Sequence, residues 1–241
     1  MVIATGGLSI PKVGATDFAY RIAKRLGIHI VEPRPALVPL TFAADAWAPF
    51  AALSGVAVEV DIGCDADDAA RFREDLLFTH RGLSGPAVLQ ISSYWKPGGS
   101  IEVDLVPGLD LGAALREQKD ATRQNLSQAL AGYLPKRLAA HWQQSRDIED
   151  RRLAELPNSI LAALAAGLEH WRLVPDGTEG FRKAEVTSGG VDTAELSQTT
   201  MESKRVRGLH FIGEAVDVTG WLGGYNFQWA WSSGFAAGLS V

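Results

Sequence analysis

Phe211-Ile212-Gly213-Glu214-Ala215-Val216-Asp217, with Gly220-Trp221-Leu222-Gly223-Gly224-Tyr225-Asn226-Phe227-Gln228 two residues beyond it, joins an apolar run, an acidic loop and a glycine turn within eighteen residues. Leu209 to Ile212 predicts a strand, and Gly213 ends it where the backbone can approach a ligand closely. Asp217 then stands on a loop, able to accept hydrogen bonds from sugar hydroxyls. Gly223 and Gly224 precede an uncharged helix that starts near Asn226, and the free N–H groups and dipole of such a terminus favour negative charge. A tight turn at Gly223-Gly224, with Gly234 and Gly238 allowing close helix packing, explains the same glycines without a ligand. Strand, glycine turn and helix form the unit of an α/β layer.

The first residues repeat that unit. Val2-Ile3-Ala4 predicts a strand, Gly6-Gly7 a turn, and Phe18, Ile22 and Leu26 recur at helical spacing, with Asp17 as N-cap and Gly27 as the left-handed stop. Ile28 to Val31 predicts a further strand, which Glu32-Pro33-Arg34-Pro35 ends because proline restricts itself and the residue before it. A different pattern follows. Val58, Val60 and Ile62 alternate with Glu59 and Asp61, and Ile101, Val103 and Leu105 with Glu102 and Asp104, as in antiparallel strands with one wet face. Ser84-Gly85-Pro86 opens a short helix through Tyr94. Leu115, Thr122, Leu126, Ala129, Leu130 and Tyr133 give a broad helical stripe, and a second helix runs from Ile160 to Trp171. A small helical bundle is the reading preferred to a partner-binding groove. The chain therefore begins and ends in α/β with an insertion between, as in a nucleotide-cofactor domain interrupted by a substrate module.

Composition sets the outer limits. With 241 residues, 46% hydrophobic and 21% charged, the chain reads as globular rather than disordered. A formal charge of -5 offers no basic field, so neither nucleic acid nor an anionic membrane is an expected partner. The single cysteine, Cys64, excludes an internal disulfide and a redox pair. Its neighbours Asp65, Asp67 and Asp68 should raise its pKa, so an inert thiol is expected. No signal sequence opens the chain and the expected location is the cytoplasm. The uncharged tail from Val218 to Val241 is interrupted by Gly, Ser, Asn226 and Gln228, which predicts a buried helix rather than a membrane span.

Four blocks together resemble the BaiN-type flavoproteins, the aminoacetone-oxidase-family FAD-binding enzymes or NAD(P)/FAD-dependent oxidoreductases. They are Ala4-Thr5-Gly6-Gly7-Leu8-Ser9, Phe78-Thr79-His80-Arg81-Gly82-Leu83-Ser84-Gly85-Pro86, Thr187-Ser188-Gly189-Gly190-Val191, and Gly213-Glu214 through Gly238. The resemblance implies a discontinuous, Rossmann-like FAD domain at residues 1–36 and 180–241. It also implies an inserted antiparallel β-barrel-like module at 37–110 and a helical domain at 111–179. Thr5, Gly6 and Gly7 would line the adenine-nucleotide side of FAD. Glu214 and Asp217, after Gly213, would meet the pyrophosphate and ribityl region, and Gly223, Gly224, Tyr225 and Asn226 the isoalloxazine. Thr187, Ser188, Gly189 and Gly190 would form a loop closing over the ring, with Thr79 and His80 on the substrate side. His80 can exchange protons near neutrality, or can simply bond a turn. His29, His141, His170 and His210 read as structural or surface groups.

The sequence departs from that family in one respect, having no G-x-G-x-x-G, the turn that holds a dinucleotide pyrophosphate. The expectation is an N-terminally truncated flavoenzyme, completed by a missing segment or a second chain, that passes electrons between FAD and a small-molecule substrate or NAD(P)H. The competing expectation is a non-catalytic remnant or interaction module that does not bind FAD on its own.

Overall fold

A computed structural model describes residues 1–66, 70–121 and 123–241; Asp67, Asp68 and Thr122, which entered the expectations above, lie outside the described residues. The chain divides into two compact units, Met1–Pro39 with Thr178–Val241, and Leu40–Gly177.

In the first unit β1 (Val2–Ile3) and α1 (Phe18–Arg25) lead to β2 (Ile30–Ala36). Asp17 occupies the N-cap position of α1 without a capping bond; its carboxylate pairs instead with Arg21 at 3.3 Å, one turn on. Ala19, Tyr20 and Ala23 form the buried face, while Phe18 and Leu26 are exposed, so the expected inward stripe is displaced by one position. Both stripes have helical spacing, and the alanines permit the closer approach.

The second unit runs from β3 (Leu40–Thr41) and α2 (Ala44–Trp47) through β4 (Ala57–Cys64), β5 (Phe72–Phe78), β6 (Gly82–Ser84) and α3 (Pro86–Ser92) to β7 (Ile101–Asp104). Then come α4 (Leu111–Ala121), α5 (Leu126–Leu130), α6 (Lys136–Gln144), α7 (Asn158–Glu169) and β8 (Trp171–Leu173), with β9 (Gly177–Thr178) at the passage back. The strands are ordered β8-β7-β4-β5-β6-β3-β9. Among the described residues no pairing joins the two ends, so the expected barrel-like module is an open sheet here. The alternation in β4 and β7 is as the sequence predicts: Val60, Ile62, Ile101 and Val103 are buried, Glu59 is exposed and Glu102 half-buried. Strands and helices share one apolar core, from Val60 and Phe78 to Leu115, Leu138, Trp142 and Leu168. The insertion is thus one unit rather than two.

At α6, the ring of His141 lies 5.2 Å from that of Phe50. Its Nε2 is buried and has no partner among the described residues, and burial lowers its pKa from the ordinary 6.5. A lowered folded value means the unfolded chain takes up the proton first, so stability is fully present above about pH 6.5 and falls as the pH drops toward the folded value. Urea midpoints of this unit should fall between pH 7.5 and 5.5, and His141→Phe should flatten that slope; an unchanged slope in the variant would refute the assignment.

The chain returns in β10 (Val186–Val191) and β11 (His210–Phe211) and ends in α8 (Tyr225–Gly238). β1 and β11 pair in parallel, Val2 with His210 and Ile3 with Phe211. β2 pairs antiparallel with β10 and runs through both Pro33 and Pro35, with a register shift between Ser188 and Gly190. The expected break at Glu32–Pro35 is absent: the two-strand ribbon leaves β2 an edge, where proline is tolerated. A separate core of Ile3, Ala19, Ile28, Val191, Phe211 and Val216 holds this unit together. Among the described residues no helix is long and apolar enough to cross a membrane.

Candidate functional site

The two acids after β11 work through backbone amides. Glu214 lies in the turn following Ile212, and its Oε1 accepts the Thr187 N–H at 2.5 Å; Asp217 Oδ1 accepts the Gly189 N–H at 3.1 Å. Thr187, almost fully buried, accepts the Leu8 N–H on Oγ1 at 2.8 Å, and its Oγ1 lies 3.1 Å from Ser9 Oγ. Gly7 is enclosed by the same groups: a Cβ there would stand 2.5 Å from Thr187 Oγ1 and 2.8 Å from Glu214 Oε1. Gly190 backs onto Ala215, whose oxygen would be 2.7 Å from a Cβ. The blocks at Gly7, Thr187–Gly190 and Glu214–Asp217 are thus brought together. The Thr187–Gly190 segment is a strand with a bulge rather than the expected loop, because these carboxylates and β2 pin it on two sides.

In front of this cradle lies a cavity of about 530 Å³, within the size range of small-molecule sites. Gly6, Gly213, Glu214, Gly223, Gly224 and Asn226, all expected at a cofactor, line it. Trp221 and Ala230, from the same C-terminal block, line it as well, as do Ile10 and Leu37, which no sequence pattern marked. Thr5 and Tyr225 are exposed, and neither they nor Ser188 line the cavity. Gly223 and Gly224 take φ of 108° and 92°, directly before α8, whose first turn has no side-chain cap. Asn226 braces this loop: its Oδ1 accepts the Gly220 N–H at 2.8 Å and its Nδ2 donates to the Gly220 carbonyl at 3.0 Å.

Tyr20, on the buried face of α1, is a residue the sequence reading passed over. Its hydroxyl is buried and finds no hydrogen-bond partner among the described residues. Burial first, then the charges of Glu214 and Asp217, push it far above the usual phenol range. An unmet donor near two carboxylates is an environment that a ligand hydroxyl can complete, although Tyr20 itself does not line the cavity. Only its place beside Ala19 and Ala23 on an amphipathic helix could have hinted at it.

In the other unit, Thr79 follows β5. Its hydroxyl donates to the Gly82 carbonyl at 2.9 Å and accepts the Gly82 N–H at 3.1 Å, closing the β5–β6 turn. Trp47 Nε1 donates to the Thr79 carbonyl at 2.9 Å. Thr79 is therefore committed to the turn, and His80 stands exposed at its tip. Among the described residues no group of three or more His, Cys, Asp or Glu gathers as a metal site.

The family model described as the HI0933-like protein barrel and H2TH domain matches residues 34–186. The chain is 54% identical over 237 residues to the ribosomal RNA dihydrouridine synthase of Escherichia coli K12, covering 98% of this chain and 59% of that protein. Against the Haemophilus influenzae protein of the same name it is 48% identical, covering 100% and 60%. A 3-dehydro-bile acid delta(4,6)-reductase of Clostridium scindens is 30% identical, covering 100% and 61%. The chain thus spans about three fifths of the length of these relatives. The match over residues 34–186, which takes in the whole sheet-and-helix unit, carries the assignment: the chain belongs to the HI0933-like family.

Proposed function

We propose that this chain is the flavin-facing and substrate-facing part of an FAD-dependent reductase that converts uridine in ribosomal RNA to dihydrouridine. The observation that carries the cofactor reading is the convergence of Gly6, Gly213, Glu214, Gly223, Gly224 and Asn226 on one cavity, backed by the carboxylate-braced cradle. Dihydrouridine is uridine plus two hydrogens across a carbon–carbon double bond, and a delta(4,6)-reductase also acts by name on such bonds. Reduction is therefore common to the relatives, and the higher identities favour the RNA base over a steroid. The charge of -5 spoke against nucleic acid, but net charge does not govern whether one extruded base can enter a pocket.

FAD, when bound, supplies the two-electron chemistry, with NAD(P)H as its reductant. Glu214 and Asp217 hold the Thr187 and Gly189 amides in place, the Gly223-Gly224 turn aims the start of α8 at negative charge, and Asn226 fixes that turn. His80 is the proton-exchanging group assigned to the inserted unit.

The test replaces the matched stretch of the Escherichia coli relative with this chain and expresses the chimera in a strain lacking that enzyme. A yellow protein and restored dihydrouridine in ribosomal RNA by mass spectrometry are expected, with His80→Gln reducing product formation at least tenfold. A colourless chimera refutes the flavin reading; a yellow one that leaves the RNA unmodified refutes the substrate.

A further inference from the structure

Ile10 has φ of 54° and ψ of 64° directly before Pro11. A β-branched side chain in that left-handed region is a genuine outlier, and proline favours an extended residue before it. Such strain persists only where the surroundings over-determine it, and it clusters at ligand clamps. Around Ile10 the backbone is closed on itself. Its N–H donates to the Phe181 carbonyl at 2.8 Å, its carbonyl accepts the Val13 N–H at 3.0 Å, and the Gly14 N–H donates to the Pro11 carbonyl at 3.1 Å. On the other side of the tie, the Lys183 and Ala184 N–H groups both donate to the Gly180 carbonyl at 3.0 Å. The Ile10–Phe181 bond therefore joins two closed turns at the cavity, which Ile10 lines from the first and Glu185 from just beyond the second. What the turns present is positive charge. Lys12, Arg182 and Lys183 are exposed, and none has a side-chain partner among the described residues. Residues 8–16 and 180–184 contain no Asp or Glu. The overall charge of -5 conceals this, since residues 1–39 carry five Lys and Arg against two Asp and Glu.

We propose that these two turns form a phosphate clamp at the rim of the cavity, in which Lys12, Arg182 and Lys183 hold the RNA backbone beside the nucleotide whose base enters. The inference rests on the proposed substrate and adds the surface that meets it. Phosphate contacts fix position and register without reading sequence, which is what a site acting on one extruded base requires of its rim. The strain at Ile10 has a use in this arrangement. It holds the Lys12 turn against the Phe181 carbonyl before RNA arrives, so that less ordering remains to be done on binding.

The purified chain is titrated into a fluorescently labelled RNA stem-loop with uridines in its loop, and anisotropy gives Kd at KCl concentrations between about 50 and 200 mM. Lys12→Gln/Arg182→Gln/Lys183→Gln should weaken binding at least about tenfold. It should also lower the slope of log affinity against log salt by about 2, for three lost contacts at about 0.7 each on a single strand. Lys24→Gln/Arg25→Gln/Arg207→Gln removes the same charge from exposed positions outside the rim and should change Kd by less than about threefold. All six side chains are exposed, so circular dichroism of both variants should match the parent. Lys12→Arg/Arg182→Lys/Lys183→Arg, which keeps the charges, should keep the parent slope. A parent chain that does not bind the RNA, a rim variant that binds like the parent, or equal losses in the two glutamine variants overturns the proposal. So does displacement of the RNA by excess NADP+ but not by NAD+, which would assign the cations to a cofactor phosphate. The readout needs neither flavin nor turnover, which separates its failure from that of the proposed function.

Discussion

Alanine at Gly189 should destabilise the first unit by more than about 3 kcal/mol, while the unfolding transition of Leu40–Gly177 stays where it is. Gly189 has φ of +87°, and a Cβ there would lie inside contact distance of the Glu32 carbonyl oxygen, 2.8 Å from its carbon and 2.9 Å from Pro33 Cα. The left-handed conformation alone costs a side chain about 1–2 kcal/mol, and overpacking adds about 1–3 kcal/mol. Those neighbours are backbone, so no rotamer change relieves the clash. Relief by moving β10 away from β2 would also pull the Gly189 N–H from Asp217, leaving a partly buried carboxylate bond unmade. Gly180 supplies the comparison: φ is +68° and nothing lies within 4 Å of its Cβ position, so Gly180→Ala should cost only the conformational part. Urea unfolding of both variants, resolved into two transitions, measures the difference. Equal costs at the two sites would mean that β2 and β10 do not approach as described.

That pair of glycines shows where reading the sequence succeeded and where it stopped. Gly223-Gly224 before a helix was legible because the signal is local: left-handed residues followed by an apolar run. The alternation of β4 and β7 was legible for the same reason. Thr187–Gly190 was expected as a loop only from the family resemblance, yet Glu214 and Asp217, 27 and 28 residues further on, fix it as a strand. β2 survives two prolines because it is an edge of a two-strand ribbon, with Pro33 at the place where the pairing slips between Ser188 and Gly190, a property of the pair and not of either segment. On α1 two apolar stripes compete, and only the packing of Ala19 and Ala23 decides which faces inward. The candidate site divides the same way. Its glycines and acids were legible as types, but the orphaned hydroxyl of Tyr20 and the commitment of Thr79 to its turn arise from contacts that no spacing encodes.

Truncating Phe78 should have the largest effect in the second unit, about 3–5 kcal/mol. The side chain is fully buried, its ring 5.9 Å from Trp171 and 6.2 Å from Trp47, both within 21° of parallel. The backbone on either side is fixed: Phe78 N–H donates to the Val56 carbonyl at 2.9 Å, and its own carbonyl accepts the Gly55 N–H at 2.9 Å. Trp47 is held through its bond to the Thr79 carbonyl, so the rings around an alanine cannot close the space without breaking that bond. Domains of this size hold about 5–15 kcal/mol in all, so Phe78→Ala should bring the unit close to its unfolding midpoint at moderate temperature. Phe78→Leu, which keeps much of the volume, should lose well under half as much. The loss is also directional. Phe78 leads into the turn that carries His80, and amide exchange at Thr79–Gly82 should accelerate in Phe78→Ala before exchange across β4 and β7 does. Exchange that rises uniformly through the unit would show that the turn draws no rigidity from this ring, and with it would go the case for His80 as a fixed proton-exchanging group.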